Sequence, residues 1–197
     1  MNGTEENGLL SSENAGMFDN QSLLELINQG SAVVLEKIIE DYSDDVAAFA
    51  NRLLGWPGDV DDIVQDVFLA TFQNLKKFRH QSSIKTWLFK ITINRCRMYK
   101  YRQFLKLKFF SAASKREISY ESASEKNALD EEKNLLIRKT VSALPARYRE
   151  AVVLKYLQQL DTRQILEILG IDENVLNVRL SRARKMLKDK LSFLMKD

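Results

Sequence analysis

The chain has 197 residues, 45% of them hydrophobic and 29% charged, a composition that folds into one or two domains and excludes a disordered polymer. Two prolines and seven glycines argue for helices over a turn-rich β protein. The net charge of +3 conceals a strong polarity, since residues 1–73 hold 2 basic and 14 acidic side chains while residues 74–116 hold 13 basic and no acidic ones. A basic run of that length is the footprint expected for a polyanion such as nucleic acid, with a solvated basic face as the plainer alternative.

Residues 1–20, rich in Asn, Ser, Gly and Glu, read as a disordered tail. Leu23, Leu24, Leu26 and Ile27 then make a short helix that Gln29-Gly30-Ser31 breaks. Val33, Val34, Ile38, Tyr42, Val46, Phe49, Leu53 and Leu54 predict one long helix or two abutting ones, ended by the turn Gly55-Trp56-Pro57-Gly58. In the next helix Val60, Ile63, Val64, Val67, Phe68, Thr71, Phe72 and Leu75 fall on one face and are expected to be buried, with Asp59 as the N-cap. Asp62, Gln65, Asp66, Leu69 and Gln73 fall on the opposite face. Acids early in a helix suit its dipole, but Asp66 lies beyond the first turn and Leu69 is apolar on a polar face, as in a docking surface.

A basic loop follows over residues 76–83, then a helix rich in aromatic and basic residues from Ile84 onward. Ile84, Trp87, Leu88 and Ile91 share a stripe expected to be buried, Trp87 with a polar tip. Lys90, Asn94, Arg97 and Tyr101 share another face, where amide, cation and phenol can meet phosphates and bases. Residues 21–103 thus form a first helical domain. Residues 104–130 read as a flexible linker, whose apolar start at Phe104, Leu105, Leu107, Phe109 and Phe110 suits an extension of the helix. Residues 131–197 form a second helical domain. A helix to Ala143 is followed by one that Pro145 opens. A helix-turn-helix pattern then runs from Arg163 through Gly170, the residue that permits a left-handed turn, to a long basic helix that Asp172 can cap. That last helix is the one expected in a DNA major groove.

Asp61-Asp62-Ile63-Val64-Gln65-Asp66-Val67-Phe68, then Phe78-Arg79, then Thr86-Trp87-Leu88-Phe89-Lys90-Ile91 and Asn94-Arg95 resemble region 2 of the extracytoplasmic-function (ECF) sigma factors, the smallest group of the bacterial sigma-70 family. Leu144-Pro145-Ala146-Arg147-Tyr148-Arg149-Glu150 and Arg179-Leu180-Ser181-Arg182-Ala183-Arg184-Lys185 resemble region 4 of the same family. The resemblance implies an all-α chain of two helical domains. It implies core RNA polymerase as a partner, docked on Asp62, Gln65, Asp66 and Leu69. It implies opening of the promoter −10 element by Arg79, Ser82, Ser83, Ile84, Lys85, Lys90, Asn94 and Arg97. It implies reading of the −35 element by Asn177, Val178, Ser181, Arg182 and Lys185. An anti-sigma protein is a further expected partner.

Two departures from the family pattern bear on the −35 reader. Leu166 stands where the family has alanine, so the two helices of the motif are expected to cross less closely. Asn177 and Val178 replace a basic residue and a hydroxyl; Asn177 can read adenine and Val178 can touch a thymine methyl. The alternative is a sigma-like regulator that binds polymerase or an anti-sigma protein with weakened −35 reading. An enzyme is disfavoured by the single histidine, His80, and by the lack of metal-ligand spacing, a phosphate loop or a nucleophile elbow. No cofactor or metal is expected. The lone cysteine, Cys96, fits a reducing compartment. The absence of a membrane-length apolar run and of a signal peptide makes the cytoplasm the expected location.

Overall fold

The computed structural model describes residues 31–55, 60–78, 82–110 and 128–191, and among these every regular element is helical. The expectations for residues 1–30, for the turn residues 56–59, for Arg79 and for the linker over residues 111–127 lie outside the described residues. No described helix is long and apolar enough to cross a membrane.

Three helices build the first unit: α1 (Ser31–Leu54), α2 (Asp61–Asn74) and α3 (Ile84–Phe110), with a 3-10 turn over Leu75–Lys77 after α2. The apolar spacing of α1 makes one continuous helix. Val34, Ile38, Tyr42, Val46, Phe49 and Leu53 are buried, and Val33, at the edge of the stripe, is exposed. Each helix packs on the other two. Phe49 of α1 stacks on Phe89 of α3 with ring centroids 4.3 Å apart, and Phe78 meets Trp87 at 4.9 Å. Large side chains with no exposure, such as Phe49, Phe89 and Leu88, each contribute about 1.5–3 kcal/mol of hydrophobic stabilisation.

The buried face of α2 differs slightly from the periodicity. Phe72 is largely exposed and Ala70 is buried instead, because α1 and α3 together cover a strip centred on Ile63, Val67, Ala70 and Thr71. The N-cap of α2 is Val60, whose carbonyl accepts from the Ile63 and Val64 amides at 2.9 and 3.0 Å with no side-chain cap. This corrects the expected Asp59 cap: that residue precedes the capping position and lies outside the described residues.

Helix α3 does not stop near residue 103. It continues to Phe110, leaving Phe104 and Leu107 exposed. In the second unit α4 (Ala128–Ser142) leads to α5 (Ala146–Val152), which widens into a π turn over Val153–Leu157. Gln158 N–H donates to the Val153 carbonyl at 2.8 Å, and Gln159 closes the segment in a left-handed conformation (φ 54°). Helices α6 (Thr162–Leu169) and α7 (Glu173–Leu191) complete the helix-turn-helix. Asp161 caps α6 through a capping box with Gln164, Gly170 takes φ 64° at the turn, and Asp172 Oδ1 accepts from Val175 N–H at 2.9 Å. The bulky Leu166 is half-buried against the core.

The two units share a continuous apolar core. Helix α6 lies on α3, and α4, α5 and the π turn touch α1. α3 is therefore enclosed from two sides, and so Thr92, Ile93 and Cys96 are buried along with Leu88 and Phe89. Thr92 donates its hydroxyl to the Leu88 carbonyl at 2.8 Å, which satisfies it without a solvent partner.

Candidate functional site

The outward face of α2 and the C-terminal half of α3 form the walls of an open groove of about 600 Å³. Asp62, Gln65, Asp66 and Leu69 line one wall; Tyr99, Arg102, Gln103 and Lys106 line the other. All four α2 residues of the sequence reading are brought together here, and Leu69 is 56% exposed, an apolar side chain left uncovered by the described residues. The second wall was missed. Arg102 and Lys106 stand four residues apart on α3, the spacing that would have marked it. Gln103 Nε2 donates to the Tyr99 hydroxyl at 3.0 Å and fixes that ring at the groove edge. Acids face bases across this groove, so it suits a partner of mixed charge with an apolar ridge.

The residues at the start of α3 divide into those that face outward and those that hold the fold. Ser83 is the helix cap: its Oγ accepts from Thr86 N–H at 3.1 Å and lies 2.9 Å from the Thr86 hydroxyl. Ile84 is 4% exposed and belongs to the core. It therefore has no face to offer a base, and its place in the expected −10 set is corrected on that ground. Lys85 pairs with Asp45 of α1 at 2.6 Å and sits over the Phe89 ring. Ser82 is half-buried, and Lys90 and Asn94 are exposed. Arg97 reaches instead to the second unit. Its Nε donates to Glu150 Oε1 at 2.9 Å and its Nη2 to Oε2 at 2.8 Å.

On α7, Leu176, Leu180 and Ala183 face the core, and Asn177, Val178, Ser181, Arg182 and Lys185 are all exposed. Beside them a shallow hollow of about 310 Å³ is lined by Tyr148, Val175 and Val178, with Arg147, Asn174, Arg179 and Arg182 around it. Arg147 lies 4.7 Å over the Tyr148 ring, and Arg182 donates to the Tyr148 hydroxyl at 3.4 Å. Val178 is 48% exposed. An apolar floor ringed by guanidinium groups can take a methyl group while its rim holds phosphates. Arg147 and Tyr148 were not legible as members of this surface, because α5 meets α7 only in the tertiary fold; Val175 stands one turn before Val178 on α7, the spacing that would have marked it.

Between the units, burial holds the Lys100 ammonium down to a pKa of about 8, with the Arg149 cation adding to the effect. Burial pushes the Cys96 thiol up to about 12. The raised value keeps the Cys96 thiol protonated and unreactive, and among the described residues no three of His, Cys, Asp and Glu gather as a metal site.

Comparison with known proteins matches the Sigma-70 region 2 family to residues 38–103 and the Sigma-70, region 4 family to residues 134–187. The ECF RNA polymerase sigma-E factor of Haemophilus influenzae is 25% identical over 189 residues, spanning 92% of this chain and all of that protein. The protein of the same description from Escherichia coli K12 is 27% identical over 187 residues, spanning 89% of this chain and 96% of the relative. Two solved structures share the fold. The sigma factor RpoE in complex with the anti-sigma factor NepR from Bartonella quintana has a TM-score of 0.66 at 22% identity, over 80% of this chain and 96% of that one. CnrH in complex with the cytosolic domain of CnrY has a TM-score of 0.62 at 22% identity, over 88% and 97%.

Proposed function

The chain belongs to the ECF sigma factors of the sigma-70 family, and we propose that three of its exposed surfaces divide the work of a sigma subunit between them. It is a non-enzymatic RNA polymerase sigma factor that directs promoter-specific transcription initiation, with core polymerase and promoter DNA as its partners. Residues 21–103 act as the polymerase-binding and −10 domain, residues 104–130 as the connection, and residues 131–197 as the −35 domain. The groove wall of Asp62, Gln65, Asp66 and Leu69 docks on polymerase. Ser82, Lys85, Lys90, Asn94 and Arg97, together with Arg79 from the sequence reading, are assigned to guiding the opened −10 strand. Asn177, Val178, Ser181, Arg182 and Lys185 read the −35 duplex. An anti-sigma protein is a further partner, in keeping with the two structural relatives, each of which is in complex with one or with a cytosolic domain. The cytoplasm, where such a polymerase works, is its location.

The observation that carries the docking assignment is the collection of two carboxylates, an amide and an uncovered leucine on a single groove wall. Asp66→Arg tests it. The variant is expected to keep its helical circular dichroism and to lose roughly ten-fold or more in holoenzyme assembly, since reversing a charge on a docking face places like charges where complementary ones would meet. A folded variant that assembles normally removes the assignment.

A further inference from the structure

One tyrosine of α5 holds two arginines. Tyr148 is 7% exposed and sits where the start of α5 is firmly fixed. The Pro145 carbonyl accepts from Tyr148 N–H at 2.9 Å and from Arg149 N–H at 3.0 Å, and Arg149 Nη1 donates to the Ser142 carbonyl at 2.6 Å. The Tyr148 hydroxyl accepts from Arg182 of α7 at 3.4 Å, and its ring carries the Arg147 guanidinium at 4.7 Å. Both arginines are exposed. With Arg179 they stand around the hollow of Val175 and Val178, and no carboxylate is among the residues that line it. Like charges gathered in this way repel one another unless an anion joins them, so the arrangement suits a polyanion with an apolar feature at its centre.

A long cationic side chain loses rotamer freedom when it binds, and that loss weakens the complex. One that is already held in place avoids much of the loss. The Tyr148 hydroxyl engages only one end of the Arg182 fork and leaves the rest of it able to meet a base edge. The ring face holds Arg147 through its plane, so the in-plane N–H donors of that guanidinium still point outward.

We infer that Tyr148 is a positioning residue for −35 recognition, which holds Arg182 toward the major groove with its hydroxyl and Arg147 toward the flanking phosphate backbone with its ring. Arg147 goes to the backbone because it stands on α5, outside the helix that enters the groove, where phosphate contacts fix register. The inference rests on the assignment of α7 to the −35 duplex.

The test uses holoenzyme reconstituted with the full chain, on promoter duplexes selected for binding by the wild-type holoenzyme, with dissociation constants measured over a range of salt. Tyr148→Phe keeps the ring and removes only the hydroxyl. It is expected to bind about two- to ten-fold more weakly, the effect of leaving one flexible side chain unordered, with the salt slope unchanged because no charge is lost. In an Arg182→Ala background the same substitution should add nothing, since its effect runs through that arginine. Arg147→Ala should lower the salt slope by about one unit, alike on every sequence. A loss on Tyr148→Phe that is as large without Arg182 as with it overturns the positioning role. So does full affinity in Tyr148→Phe where Arg182→Ala alone binds weakly. An unchanged salt slope in Arg147→Ala overturns the phosphate contact. If Arg182→Ala itself binds as the wild type does, the assignment of α7 to −35 fails first, and this inference falls with it.

Discussion

Ser83 and Ile84, both expected from the sequence at the −10 strand, are engaged by the fold itself. Ser83 caps α3, so Ser83→Ala costs about 1 kcal/mol of stability. Ile84 is in the core, so Ile84→Ala costs about 2–5 kcal/mol and lowers the urea midpoint accordingly. Loss of promoter opening in either variant reports unfolding as readily as loss of a DNA contact. Lys90 and Asn94 are free of that ambiguity because both are on the surface, where substitutions change stability by no more than about 0.5 kcal/mol. The double variant Lys90→Ala, Asn94→Ala is expected to keep its urea midpoint and assemble with polymerase, yet lose open complex on duplex template. Unstacking a base costs a few kcal/mol, so a template opened in advance should recover its activity. Equal loss on both templates would remove these residues from the melting step.

At the scale of the element, α7 presents an apolar patch with a basic rim, and the −35 assignment can be tested on it. Val175, Val178 and Tyr148 make an apolar floor beneath Arg147, Arg179 and Arg182. A thymine methyl seated there gains about 0.8 kcal/mol, about four-fold in affinity. Deoxyuridine in place of the thymidine facing Val178 should weaken holoenzyme binding at −35 by that factor. Val178→Ser should erase the difference, and Asn177→Lys should steepen the salt dependence by about one unit for one added phosphate contact. Equal binding of the thymidine and deoxyuridine duplexes would show that the methyl group is not read. The turn of the helix-turn-helix was legible because its two joints have local causes: Asp172 caps α7, and Gly170 takes φ 64°. The π turn over Val153–Leu157 was not, since nothing in Val153-Leu154-Lys155-Tyr156-Leu157 asks for a sixth residue in the turn. The exposed Phe72 was misplaced for a similar reason. Periodicity gives the direction of a buried stripe, and only the neighbouring helices set its width.

For the whole molecule, the sequence yields two helical units in the right order, and the contact between them escapes it. Arg97 and Glu150 are 53 residues apart, and a basic run with no acid reads as a surface for DNA along its whole length. Part of that run is interior. Lys100 and Cys96 lie one turn apart on α3 against the second unit, and their titrations expose the burial. Lys100 has a folded pKa of about 8 against an ordinary 10.5, through burial and the nearby Arg149. Between those values the unfolded chain holds a proton that the folded chain lacks, so stability rises with pH. Cys96 has a folded pKa of about 12 against an ordinary 9.0, through burial. Between those values the folded chain holds the extra proton, so stability falls with pH. The urea midpoint of the wild-type chain is therefore expected to climb from about pH 8 to 9, flatten while the two effects oppose each other, and decline above about pH 10.5. Lys100→Met, which keeps the apolar stem, should abolish the climb and leave the decline. Cys96→Ala should remove the decline and let the climb run on to about pH 10.5. A wild-type midpoint that is flat from pH 8 to 9 would mean that Lys100 keeps its water in solution, and that the second unit does not rest on α3 in the free protein.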